Sequence, residues 1–169
     1  MPRKIRPIRV CGDVAYITLT RGYETVIDAA DVPLVDDRNW CAINSGNTVY
    51  AYRMDYSKAK PRAVYLHREI MGQPDGFEVD HKNGDGLANC RKNLRVATKS
   101  QNSCNSRISS ANTSGFKGVS FYKRNRSWVA RIKVNQISKY LGMFDSPEEA
   151  HKAYCRASEE LHGEFGRTS

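Results

Sequence analysis

The stretch from Phe77 to Asn102 constrains this chain more than any other. Phe77-Glu78-Val79-Asp80-His81 has strand composition and ends in two polar groups. Asn83-Gly84-Asp85-Gly86 is a run of turn dipeptides and reads as a loop. Asn93-Leu94-Arg95-Val96-Ala97 is a return strand. Thr98-Lys99-Ser100-Gln101 is a capping box that opens a helix, with Thr98 as N-cap and Gln101 at N3. The order strand, loop, strand, helix brings the end of the first strand back against the first turn of the helix, so Asp80, His81 and Asn102 are expected to meet.

These three side chains suit one kind of chemistry. Hydrolysing a phosphodiester needs a base for water and a cation that holds the phosphate and stabilises the leaving oxygen. A neutral imidazole is the natural base near pH 7, which is the part expected of His81. A hard divalent cation takes oxygen donors such as the Asp80 carboxylate and the Asn102 amide.

Charge points to the partner. The 169 residues carry a formal net charge of +9. No carboxylate occurs between Asp85 and Asp145, while twelve Lys and Arg lie there, from Arg91 to Lys139. Mixed signs serve solubility, whereas a one-signed field serves a polyanion. No apolar run approaches the roughly 18–20 residues of a membrane span, and the N-terminal residues lack the apolar segment of a signal peptide. A cytoplasmic protein with no membrane partner is expected. Five widely spaced cysteines without a C-x-x-C pair are expected as free thiols, and no structural zinc is expected.

The remainder divides by pattern. Residues 1–63 read as a β-rich segment, with a strand over Val14 to Leu19, a turn at Arg21-Gly22, a short helix within Asp28 to Asp37, and a hairpin turn at Asn44-Ser45-Gly46-Asn47 before the strand Thr48 to Tyr52. Val64 to Met71 reads as an apolar-faced helix. Residues 106–115, rich in Ser, Asn, Thr and Gly, read as a linker. Residues 116–169 hold three strands, Phe116 to Tyr122, Trp128 to Val134 and Ile137 to Phe144. A basic turn of Lys123, Arg124 and Arg126 and a tight turn at Asn135-Gln136 join them. A helix then starts at Ser146-Pro147-Glu148-Glu149, buries Ala150, Ala153, Tyr154, Ala157 and Leu161, and ends at Gly163. Alternation in the second strand turns Trp128, Ala130, Ile132 and Val134 to the helix, and Val129, Arg131 and Lys133 to solvent. His151 and His162 are expected at the surface or an interface.

The run LHREIMGQPDGFEVDHKNGDGLANCRKNLRVATKSQN closely resembles the HNH homing endonucleases with the ββα-metal fold, many of them phage-encoded. The resemblance implies that His81 is the general base and that Asn93 pins the loop that aims it. It also implies that Asp80 and Asn102 ligate one Mg²⁺ or Mn²⁺. His67, in L-H-R, stands between a site role and a structural one. The run from Ser114 to Gly166 resembles the AP2 DNA-binding domain in its pieces FKGV, WVARI, YLGMF, SPEEAHKAY and LHGEF. By position, Lys117, Arg131, Lys133 and Tyr140 fall where that family contacts DNA, with Lys123, Arg124, Arg126 and Lys139 as further basic contacts. Ser120 and Arg131 stand where plant members place arginine and glutamate, so the plant sequence preference does not carry over.

The expected protein is therefore α+β. A ββα-metal nuclease core over 64–105 follows a small β-rich N-terminal segment and precedes an AP2-like three-stranded antiparallel sheet with one helix. The expected activity is metal-dependent nicking of double-stranded DNA, of homing-endonuclease type, by a monomer or weak dimer. A catalytically inert DNA-binding regulator is the alternative, and the intact Asp80, His81 and Asn102 argue against it.

Overall fold

Residues 8–28 form a meander whose strands β1 (Ile8–Cys11), β2 (Val14–Thr18) and β3 (Glu24–Asp28) pair antiparallel in that order. Alternation decides its faces: Ala15 and Ile17 of β2, with Thr25 and Ile27 of β3, are buried, and their neighbours are not. The structure is a computed structural model and describes residues 4–46, 48–57 and 59–168. It divides the chain into two units, Met1–Ala97 and Thr98–Ser169.

In the first unit, a 3₁₀ helix, Ala29–Leu34, follows the meander where a short helix is expected. Strands β4 (Cys41–Ser45), β5 (Thr48–Asp55) and β6 (Arg62–Tyr65) form a second antiparallel sheet. Asn47 of the expected hairpin turn lies outside the described residues. The helix expected from Val64 is shorter: α1 spans Leu66–Ile70. Val64 and Tyr65 instead pair with Arg53 and Tyr52 of β5, so tertiary pairing overrides the local pattern. Strands β7 (Glu78–His81) and β8 (Leu94–Ala97) make a hairpin. Asn93, expected as the start of the return strand, closes a 3₁₀ turn, Arg91–Asn93, instead. One apolar cluster runs from Ala15, Ile17 and Ile27 through Trp40, Ala42 and Ala51 to Leu66, Ile70, Val79 and Leu94. Strands β2 to β5 thus share a core with the β7–β8 hairpin.

The second unit opens with α2 (Lys99–Cys104), capped as expected: Thr98 Oγ1 accepts from Gln101 N, and Gln101 Oε1 accepts from Thr98 N. Strands β9 (Val119–Tyr122), β10 (Ser127–Val134) and β11 (Ile137–Phe144) form an antiparallel sheet with β10 central. Strand β9 starts later than Phe116. Gly118 has φ 74°, and a side chain there would meet the Tyr154 ring at 2.1 Å. Asn135 and Gln136 have φ 48° and 68°, the sign pair that a two-residue hairpin turn demands. Helix α3 (Pro147–His162) has Ser146 Oγ accepting from Glu149 N and Gly163 at its C-cap. It covers one face of the sheet through Ala150, Tyr154 and Ala157, against Val119, Ala130 and Ile132.

One expectation fails here. Val129, assigned to the solvent face, is only 3% exposed, and the register of β10 on β11 shifts between Ala130 and Arg131, an irregularity that simple alternation does not encode. His151 and His162 are half-buried: His151 packs on Phe116, and His162 Nε2 donates to Lys133 O at 3.0 Å. All five cysteines are free, and no helix among the described residues is long and apolar enough to cross a membrane.

Candidate functional site

Strand β7 ends in Asp80 and His81, and pairing with β8 sets Asp80 opposite Arg95 and His81 opposite Leu94. The Arg95 guanidinium donates to Asp80 Oδ2 from Nε at 2.8 Å and from Nη2 at 2.7 Å. A carboxylate kept in a nearly closed place needs such a partner. Arg95 thereby holds the Asp80 side chain in one orientation.

The loop that follows is tied in two ways. Asn93 ties it internally: its Oδ1 accepts from Asn83 N at 3.1 Å, while its Nδ2 donates to Asn83 Oδ1 at 3.0 Å and to Ala88 O at 2.7 Å. Strand β3 ties it from outside. Val26 N donates to Leu87 O, Asn89 N donates to Val26 O, and the Thr25 hydroxyl donates to Leu87 O. Gly86 sits where a Cβ would fall 2.5 Å from both the Tyr50 ring and Val49 O, so only glycine lets the loop lie this close to β5. Arg91 closes the far side with a two-pronged bond to Asp31.

His81 is 4% exposed. Its Nε2 lies 2.9 Å from Asn89 Oδ1, and its ring stands edge-on to that of His67, centroids 4.8 Å apart. Tyr50 and Tyr65 complete an aromatic wall around His67. Burial holds His81 below the usual histidine value, against opposing pulls from the Asn89 bond and the Asp80 and Asp85 carboxylates. Burial, with His81 and Arg68 adding to it, lowers His67 to about 3. Both rings are therefore neutral near pH 7, and a neutral buried imidazole beside a carboxylate is able to accept a proton from water.

Asp80, His81 and Asn93 come together in the first unit. Asn102 belongs to the second, in α2, half-buried, with its N–H bonded to Thr98 O at 2.9 Å. Among the described residues no three His, Cys, Asp or Glu side chains cluster as a metal site. A single carboxylate with an amide oxygen is a donor set of the kind that suits Mg²⁺ or Mn²⁺, which keep waters and take phosphate oxygens, and it does not suit zinc. Asn89 and Thr25 carry no signal in the sequence that marks them as neighbours of the site, whereas Arg95 stands in the N-L-R of the resembling run. His67 also had one, in L-H-R.

On the sheet of the second unit, Arg131 lies opposite Tyr140 and Lys133 opposite Ser138, and all four are exposed. Lys123, Arg124 and Arg126 are exposed in the β9–β10 turn, and Lys139 is exposed on β11. Lys117 differs: its Nζ donates to Cys104 O at 2.8 Å and Ser106 O at 2.6 Å, and burial lowers it to about 8. Its ammonium is committed to backbone carbonyls.

The HNH endonuclease family profile matches residues 65–104, and the AP2 domain profile matches residues 114–164. An uncharacterised HNH endonuclease of Acanthamoeba polyphaga mimivirus is 30% identical over 165 residues, which is 92% of this chain and 81% of that protein. Protein 3.8 of Escherichia phage T7 is 32% identical over 118 residues, 69% of this chain and 96% of that protein. No solved structure matches the chain significantly.

Proposed function

This chain belongs to the HNH endonuclease family and carries an AP2 domain, and from that premise we propose that it nicks double-stranded DNA with one divalent metal ion, as homing endonucleases do. His81 takes the proton of the attacking water. Asp80 and Asn102 would hold the ion, Mg²⁺ or Mn²⁺, whose charge would fix the scissile phosphate and stabilise the leaving oxygen. Asn93 keeps the loop in the shape that aims His81. Arg131, Lys133, Lys139 and Tyr140 on the sheet, with the turn cations Lys123, Arg124 and Arg126, grip the duplex through its phosphates and along its groove. Lys117 stands apart from that surface, its ammonium bonded to the carbonyls of Cys104 and Ser106. A single site cuts one strand, so the product is a nick.

The observation that carries this reading is the buried, neutral His81 next to Asp80 at the end of β7, held by a loop bonded on both sides. Supercoiled plasmid incubated with Mg²⁺ or Mn²⁺ should relax to the open circle. His81→Ala should cut about 10²–10⁴-fold more slowly while anisotropy records unchanged DNA affinity. Wild-type protein that binds DNA yet leaves the plasmid supercoiled in both metals returns the inert-regulator reading.

A further inference from the structure

Only the ring nitrogen of His81 that bears a lone pair can take a proton, and the groups around the ring decide which one that is. Leu87 O accepts and cannot donate, so the Thr25 hydroxyl, 2.7 Å away, must donate to it. With that proton spent, Thr25 Oγ1 accepts from Asn89 Nδ2 at 2.8 Å. Gly86 O, also an acceptor only, takes the other Nδ2 proton at 3.2 Å. The Asn89 amide is thereby fixed with its nitrogen toward Thr25 and Gly86 and its oxygen toward His81. That oxygen has no proton to give, so the bond at 2.9 Å requires Nε2 of His81 to carry one. We propose that Asn89, oriented by Thr25, is the positioning residue that holds His81 as its Nε2–H tautomer and makes Nδ1 the basic atom of the nuclease. The proposal rests on His81 being the general base.

Asn89 is 0% exposed and Thr25 1% exposed, so water does not compete for these bonds. The chain of donors ends on a backbone carbonyl, which leaves no second arrangement of the same protons. When Nδ1 takes a proton from water, the imidazolium still points Nε2–H at an amide oxygen, whose dipole favours the new positive charge. Thr25 lies on β3, so a part of the chain with no chemical motif takes part in setting the base.

The test separates orientation from activity. Nitrogen-15 NMR of the His81 ring, assigned by the loss of its signals in His81→Gln, is recorded at alkaline pH without metal or DNA. The wild type should show a protonated Nε2 and an unprotonated Nδ1. Asn89→Leu should lose the single tautomer and cut about 10–100-fold more slowly in single turnover. A wild-type ring protonated at Nδ1 overturns the proposal whatever the variants do. A folded Asn89→Leu with the wild-type tautomer and rate overturns it as well. If the tautomer follows Asn89 as expected but His81→Ala still nicks plasmid, the base assignment falls and the catalytic half of the proposal falls with it.

Discussion

Replacing His67 with phenylalanine should flatten the acid side of the stability profile. His67 is 7% exposed, walled by the rings of Tyr50, Tyr65 and His81, and burial brings its pKa down to about 3. In the unfolded chain the ring titrates near about 6.5. Below that pH the unfolded chain binds a proton that the folded chain refuses, so unfolding gains as pH falls. The stability given by the neutral ring is whole above about 6.5 and drains away toward the folded value. Between pH 7.5 and 5.0 the loss is 2.303RT for each unit below 6.5, about 2 kcal/mol. The folded pKa barely enters that figure, because it lies well below 5. Phenylalanine keeps an aromatic ring against the same three rings and takes no proton. His81 titrates in both proteins and cancels in the difference. Urea melts would be followed by Trp40 fluorescence in a Trp128→Phe background, since Trp40 is 0% exposed and reports on the first unit. The wild type should lose about 2 kcal/mol more than His67→Phe on going from pH 7.5 to 5.0. Equal losses would show that His67 is protonated in the folded protein, and the reasoning about its burial would be wrong.

Other outcomes follow from the same geometry. EDTA should stop nicking, and Asp80→Ala or Asn102→Ala should raise the Mg²⁺ concentration for half-maximal rate by at least about tenfold, read from metal titrations of single-turnover cleavage. Arg131→Ala with Lys133→Ala should weaken binding and lower the slope of log K against log salt by roughly two units, at about 0.9 per lost phosphate contact. Fluorescence anisotropy measures that slope, and the cleavage rate at saturating protein should stay near wild type. Gly118→Ala should cost about 3 kcal/mol, since its new carbon meets the Tyr154 ring at a positive φ; a thermal melt of the variant reads the loss.

What the sequence disclosed was local. The capping box at Thr98 and Gln101, the N-cap at Ser146 with Pro147 behind it, and the β7–β8 hairpin each depend on residues a few positions apart, and each formed where expected. Boundaries slipped where a distant partner intervened: Val64 and Tyr65 became strand because β5 lies beside them. Val129 is buried although alternation put it on the solvent face, and nothing local in the sequence marks that burial. Lys117 matched a DNA contact by position, yet its ammonium is held by carbonyls of Cys104 and Ser106, residues outside the resembling run. The site showed the same split. Asp80 and His81 were legible as a pair at a strand end, and Asn93 lies in the loop it was expected to pin. Thr25 and Asn89 were not legible, because no local rule ties two residues so far apart in the chain.

The bonds between β3 and the loop at 87–89 also set an order of events during synthesis. Thr25 and Val26 reach across 61 to 64 positions to their partners at Leu87 and Asn89. At 5–20 residues per second, β3 leaves the ribosome roughly 3–12 s before the loop that completes it. Nothing can draw the His81 loop into place until that span of chain has been closed, and contacts so distant form slowly. The nascent protein therefore carries β3 unsatisfied on one edge for seconds. If His81 is the base proposed above, a chain stalled before residue 89 carries it without the loop that orients it.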